Sequence, residues 1–458
     1  MNESVTTVLA RYIAAAGGQP LPDEVAEKAN HHLLDTVGAM VSGADLRAGR
    51  LAVAWAGGVG GTRQARVLTT DLRTTAFNAA LANGMMAHAD ETDDSHAPSL
   101  THPGCAIVPA ALAAAEQVDA TGEHLLRAVV LGYDVCTRLV FSVGRDATNE
   151  RGFSTHAIGG LFGATAAVAS LMRLDERQVR YALSYACQCA SGVRSWNRDE
   201  AHVEKAYVFG GMPASNGVLA ASMVAAGFTG VDEPLDGTGN LLDILSEDPD
   251  RSQLSADLGE RYEIMGANIK KWPVGSPIQA ALDSTLELIT EHGIGPDDVE
   301  AVTVRLPSIE SGVVDNRSMP DIWLQHMVAL MLVDGGVTFA SSQDYGRIED
   351  PAVSAVRSRV TLIPDEELSV ARPRRQGIVT IETRDGRSVT HHTRAVKGTA
   401  DAPMSREEVE EKVHGLLAPV LGEDRATRVV TSFGAVHEVA SVRDATADLA
   451  AGDAKEAS

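Results

Sequence analysis

Apolar residues recur at three- and four-residue steps from residue 4 to about 265, and then the rhythm changes. Steps of that size put one apolar stripe on a helix, so the first stretch predicts packed amphipathic helices. Ala26–Ser42, with Ala26, Ala29, Leu33, Leu34, Val37 and Met40, is the clearest of these. The same pattern marks 109–118, 125–141, 160–172, 175–190 and 214–226, and the last three are so rich in Ala, Gly and Ser that their axes can approach closely. After residue 265, 299–306 alternates, 359–363 is short and β-branched, and 377–383 and 387–393 flank Asp385-Gly386, a hairpin-turn pair. Helical patterns at 278–292 and 322–334 lie between these strands. The expected fold is therefore mainly α, with a smaller α+β part built on an antiparallel sheet of about four strands. A helical pattern returns over 405–421, where Ser405-x-x-Glu408 reads as a capping box. The Ala/Asp-rich tail, 441–458, is expected to be disordered.

Length and charge narrow the function classes. A chain of 458 residues, 44% of them hydrophobic, can bury a sizeable core in two or three domains. Its 62 acidic against 39 basic side chains leave a net charge of −23, which argues against a nucleic-acid partner; the longest basic run, Arg372 to Arg375, contains Pro373. Aromatic residues make up only 4%, which suits closely packed helices of small side chains. The four cysteines lack C-x-x-C spacing and are read as reduced thiols. The first sixteen residues lack the basic-then-apolar order of a signal peptide, and the apolar window 158–172 is shorter than a membrane span and interrupted by Gly159, Gly160 and Gly163. A cytoplasmic protein without a membrane partner is the expectation.

Three clusters carry chemistry. The first is His88-Ala-Asp90-Glu91-Thr-Asp93-Asp94-Ser95-His96, followed by Thr101-His102-Pro103-Gly104. Three histidines and four carboxylates this close read in three ways: a solvated acidic turn with helix caps, a metal site of nitrogen and hard oxygen ligands, or metal-free acid–base chemistry in which carboxylates fix a histidine's tautomer. The second holds Arg194, Trp196, Arg198, His202 and Lys205 before Gly210-Gly211, and reads equally as a surface loop. The third, Lys270-Lys271-Trp272-Pro273-Val274-Gly275-Ser276-Pro277, looks like an anion-binding loop that caps the next helix. His156 opens a Gly-rich helix, where it serves either as a cap or core residue or as a ligand-facing group.

In order along the chain, HADETDDSHAPSLTHPG (88–104), GFSTHAIGGLFGATAAVA (152–169), LDERQVRYALSYA (174–186), EKAYVFGGMPASNGVLAASMVAAGFTG (204–230) and KKWPVGSPIQAALD (270–283) resemble the successive signatures of the MmgE/PrpD family. The resemblance covers about residues 8–435. It implies a cofactor-independent, metal-free enzyme, commonly a homodimer, acting on small di- or tricarboxylates. It also implies a discontinuous helical domain, 1–265 and 399–440, around an α+β lid, 266–398. Members include 2-methylcitrate dehydratase, cis-aconitate decarboxylase and an iminodisuccinate epimerase. Carried over by position, the catalytic set is His102, Asp94, Glu91 (where Asp is commoner) and Lys205. The substrate-binding set is Ser95 (where Thr is commoner), His96, His156, Lys270, Lys271 and His326, the last where some relatives place a lid tyrosine. Two positions depart from the pattern: Ser154 stands where a histidine is frequent, and Gly275 where the decarboxylase branch can present one.

The expected activity is a 2-methylcitrate dehydratase-like hydro-lyase in which lysines bind substrate carboxylates. His102 moves a proton at the carbon beside a carboxylate, and Asp94 or Glu91 orients it. Decarboxylation and epimerisation pass through a similar carbanion-like state and remain open. Two rivals stand beside this reading: a small-acid binding or scaffold protein that keeps the fold without catalysis, and a metal-dependent hydrolase or lyase using His88, Asp90, Asp93 and His96.

Overall fold

The computed structural model describes residues 3–451. Contacts divide the chain into two compact units, one of Met1–Ala89, Asp93–Ala267 and Arg406–Ser458, the other of Asp90–Thr92 and Asn268–Ser405.

The first unit is helical because its stripes and small residues leave few other ways to bury themselves. Thr155–Leu171 is its central helix; every residue from Ala157 to Leu171 is buried. A helix apolar all round needs neighbours on every side, and Pro103–Val118, Gly122–Val143 and Met212–Ala225 supply them. Ala76–Ala87 packs against the first and last of these neighbours. The unit is not wholly helical, since Ala65–Arg66 pairs with Arg73–Thr74 in a short antiparallel ribbon. The continuous helical run Val203–Ala225 is apolar enough by composition to cross a membrane, yet 67% of its apolar window is buried inside the protein, as in a core helix.

Within that run, Tyr207–Gly211 is a π turn between two α-helical stretches. The wider turn aims Phe209 inward and brings Gly210 onto Gly84 of Ala76–Ala87. A methyl group on Gly210 would lie 2.0 Å from the Gly84 carbonyl oxygen. Gly210→Ala must therefore push two backbones apart, and is expected to lower stability by about 1–3 kcal/mol in denaturant unfolding. A loss under about 0.5 kcal/mol would mean that the two backbones do not touch.

The returning segment forms Arg406–Leu421 and Glu423–Gly434, both packed on Asp23–Gly43. Asn30 ties it down: its side-chain amide donates to the Gly434 carbonyl, and its Oδ1 accepts from the Val436 amide. The tail expected to be disordered is ordered as far as it is described. Val442–Ala445 is helical, Val442 and Leu449 are buried, and the Val442 amide donates to Ala120. Two apolar side chains with core to bury outweigh an Ala/Asp-rich composition; residues 452–458 lie outside the described residues.

In the second unit the sheet order is Val360–Asp365, Val299–Pro307, Gly377–Thr383, Ser388–Thr393. Val299–Pro307 and the hairpin strands pair antiparallel, but Val299–Pro307 and Val360–Asp365 run parallel, with Val302 opposite Val360. The sheet is therefore mixed rather than antiparallel throughout. The physical reason is the connection: residues 308–359 hold several helical segments, long enough for a crossover that returns in the same direction. Val302, Val304, Leu306, Val379 and Ile381 form one core with Leu282 of Gln279–His292 and with Met327, Leu330 and Met331 of Leu324–Asp334.

Candidate active site

The loop after Ala76–Ala87 ends at His102, which precedes Pro103 at the first turn of Pro103–Val118. Pro suits that position because its missing N–H would have no helical partner there. This stop places His102 beside His88. Both imidazoles direct Nδ1 at one oxygen, Asp93 Oδ2, at 3.0 Å from His102 and 2.9 Å from His88. Asp93 and His88 are fully buried and His102 is 13% exposed. An ionised carboxylate only accepts, so each imidazole presents Nδ1–H to it and keeps Nε2 on its opposite edge.

Phe209 organises the rings around this triad. His88 stacks on it at 4.5 Å and His156 at 3.8 Å between centroids, while Trp196 meets it edge-on at 4.6 Å. The His88 and His202 rings are 5.2 Å apart, and the Lys205 ammonium lies 5.3 Å from the Phe209 centroid and 5.9 Å from that of Trp196. Burial pulls His88 below the ordinary histidine range, against the Asp93 carboxylate, which favours its charged form. Burial takes His156 well below that range, and His102, His88 and Lys205 add to the effect. Among the described residues, His88 Nε2 and His156 Nδ1 have no hydrogen-bond partner.

Asp94, expected to orient His102, does not. It accepts from His32 Nδ1 at 2.7 Å, from the Tyr133 hydroxyl at 2.6 Å and from the Gly104 amide at 2.9 Å. Burial raises the Asp94 carboxyl, but the donors of His32 and Tyr133 outweigh it and hold the group below the usual range. A side chain at Gly104 would meet Thr36 Oγ1 at 2.6 Å and Asp94 Oδ1 at 2.7 Å, so glycine lets the helix N-terminus close on the carboxylate. Asp94 anchors the loop, and Asp93, one residue earlier, takes the orienting place. His96 is also elsewhere: its Nδ1 bonds Ser99 Oγ at 2.7 Å, its ring faces Phe141, and burial lowers its pKa to about 4. Ser95, between Asp94 and His96, is buried, with no partner on its hydroxyl among the described residues.

The remaining candidates belong to the second unit. Lys270 is buried and donates to the Glu91 carbonyl at 2.6 Å, with the Glu91 carboxylate at 3.5 Å, so it holds the acidic loop from within that unit. Lys271 pairs with Asp283 and lies over the Trp272 ring. His326 is buried beside Arg357, which stacks on Trp323, and burial lowers its pKa to about 4. Gly275 has an ordinary negative φ, and a Cβ there would meet Ile322 at 3.4 Å, an ordinary contact, so its backbone does not require glycine. Ser154 precedes the helix that carries His156 and is fully buried.

The metal reading placed His88, Asp90, Asp93 and His96 together; the structure keeps His88 with Asp93 and gives His96 and Asp90 other partners. His96 bonds Ser99, and Asp90 accepts from Thr92 in the second unit. His88, Asp93 and His102 do bring nitrogen and oxygen within 4.8 Å of one another, but the facing atoms are engaged as Nδ1–H donors and their shared acceptor, an arrangement that stores and orients protons. Sequence reasoning left out His32, Tyr133 and Phe209, and gave His88 and Asp93 only to the metal reading. For His88 and Asp93 the signal was present in the acidic loop; for the other three, nothing in local spacing marks them.

Comparison with known proteins agrees with this architecture. Residues 7–254 match the MmgE/PrpD N-terminal domain and residues 272–433 the MmgE/PrpD C-terminal domain. The chain is similar to cis-aconitate decarboxylase of Homo sapiens, 24% identical over 94% of this chain and 91% of the relative. It is similar also to cis-aconitate decarboxylase of Aspergillus terreus, 23% identical over 93% and 92%, and to the cis-aconitate decarboxylase-like protein oryM of Aspergillus oryzae, 21% identical over 96% of each. The two relatives named as decarboxylases are lyases, which supports a lyase function at the level of the family but no particular reaction. With matches to both of its domains spanning nearly the whole chain, the protein belongs to the MmgE/PrpD family.

Proposed function

We propose that the protein is a lyase that makes and quenches a carbanion beside a carboxylate of a small di- or tricarboxylate. One observation carries this reading: the shared Asp93 oxygen fixes His102 with Nδ1 protonated and Nε2 presented as a base. In decarboxylation the carbon–carboxylate bond breaks, carbon dioxide leaves, and the electron pair left on carbon takes a proton from the His102 imidazolium. In dehydration Nε2 takes the proton from carbon, the electron pair left behind forms the carbon–carbon double bond as the carbon–oxygen bond breaks, and the hydroxide takes that proton back from the His102 imidazolium and leaves as water. Asp93 stabilises the imidazolium in either case, and the Lys205 ammonium, set over Phe209 and Trp196, supplies positive charge for a substrate carboxylate in a chain of net charge −23.

The relatives' activity makes cis-aconitate the first substrate to try. A hydro-lyase stands second, because Ser154 and Gly275 occupy the places where histidines are frequent in the family or in its decarboxylase branch. Proton NMR in deuterated buffer with cis-aconitate, citrate and 2-methylcitrate separates the reactions by product and by the carbon that acquires deuterium. Turnover of at least one acid is expected. No product from any di- or tricarboxylate tried, with folded protein, would sink the proposal.

A further inference from the structure

Asp93 Oδ2 receives two imidazoles, and only one of them belongs to the proposed chemistry. His88 is fully buried, its ring lies flat on Phe209 at an interplanar angle of 17°, and its Nε2 has no partner among the described residues. A histidine needed only to fill that space could be any ring. What His88 adds is an N–H aimed at the same oxygen that holds His102.

Resting on the reading of His102 as the base, we propose that His88 is a positioning residue that shares Asp93 with His102 and so sets how firmly His102 keeps a proton. A carboxylate oxygen that accepts two N–H donors has less negative charge to offer either of them. When His102 becomes imidazolium, Asp93 stabilises it less than it would without His88, and the proton is more easily passed on. His88 can exert this effect without changing charge, because burial keeps it neutral. The groups facing the pair are His156 from Thr155–Leu171, His202 and Lys205 from the segment before the π turn, and the Cys105 thiol, which donates to the His102 carbonyl. Glu91 stands two residues before Asp93 in the chain.

The test is a histidine-ring NMR titration of the full chain, with the pH profile of kcat/KM beside it. His88→Phe keeps a ring on Phe209 and deletes the donor; His88→Asn places an amide N–H near the original Nδ1. In His88→Phe the His102 midpoint is expected to move up by about half to one pH unit, about a three- to tenfold gain in proton affinity, with the acid limb of the rate profile following it. In His88→Asn most of that shift should vanish. An unchanged or lowered midpoint in His88→Phe, or the same shift in both variants, overturns the proposal. If neither variant folds, the wild-type spectrum decides: His88 must be the neutral Nδ1–H tautomer from pH 6 to 8, and the Nε2–H tautomer or a charged ring overturns it. These ring measurements need no turnover, so the lyase reading and this one can fail separately.

Discussion

Replacing His102 with Asn is expected to lower kcat by about 10²- to 10⁴-fold on whichever polycarboxylate the wild-type protein turns over, the span a general acid–base group ordinarily contributes. A thousandfold loss corresponds to about 4 kcal/mol of transition-state stabilisation. KM should move much less, because in this mechanism Nε2 exchanges a proton with the reacting carbon and the substrate carboxylates are held by cations. Asn can keep the Asp93 hydrogen bond through its side-chain amide but offers no titratable nitrogen, so packing and chemistry are separated. Unfolding temperature should stay within a few degrees, since His102 is partly exposed and only Nδ1 is committed. Asp93→Asn should give a comparable kcat loss by another route. The amide can still turn its carbonyl oxygen to both Nδ1–H donors, but it carries no negative charge to stabilise the His102 imidazolium. A His102→Asn protein with kcat within threefold of wild type and an unchanged unfolding temperature would remove His102 from the mechanism.

The contrast between Asp93 and Asp94 shows what could be read along the chain and what could not. The loop 88–104 stands out because so many ionisable groups in a short span must be paired or used, and the family signatures order it among four others. Which of two adjacent carboxylates turns toward His102 is decided elsewhere: Asp94 is claimed by His32, 62 positions away, and by Tyr133, 39 positions away. No local periodicity marks those partners. Helix existence was legible wherever a stripe repeated, and several starts fell within a residue of the expected ones, but not the start of the helix after His102. The helix expected from Pro109 begins at Pro103 and carries Pro109 inside it, because close packing of a helix buried from Pro103 to Glu116 outweighs the missing hydrogen bond. Gly377–Thr383 is a strand over the expected residues, since period-two alternation and an Asp-Gly turn agree there. The parallel neighbour was hidden, because short β-branched runs look the same in either direction.

Lys412→Met is expected to destabilise the protein by about 2–3 kcal/mol at pH 8, where Asp35 loses the cation that faces it. Lys412, from the returning segment, reaches fully buried Asp35 on Asp23–Gly43 and is itself only 8% exposed. The pairing joins residues 377 positions apart, which is why neither stood out in the sequence. Burial raises the Asp35 carboxyl to about 6, with Asp94 and Asp93 adding repulsion, although Lys412 pulls the other way. Between its ordinary value near 3.8 and 6, the folded state therefore holds a proton that the unfolded chain has released. Stability contributed by that proton falls as pH rises through the window, by about 3 kcal/mol over roughly two units. Removing the ammonium moves the folded value further up, so the deficit of Lys412→Met against wild type should be small near pH 4.5, where Asp35 is protonated in both proteins, and full by pH 8. Adding Asp35→Asn should recover most of the loss at pH 8, because no buried charge is then left without its partner. Denaturant unfolding of the two variants and wild type at both pH values measures each of these differences. A deficit of equal size at pH 4.5 and 8, unrelieved by Asp35→Asn, would assign Lys412 to packing of its aliphatic stem and not to the charge of Asp35.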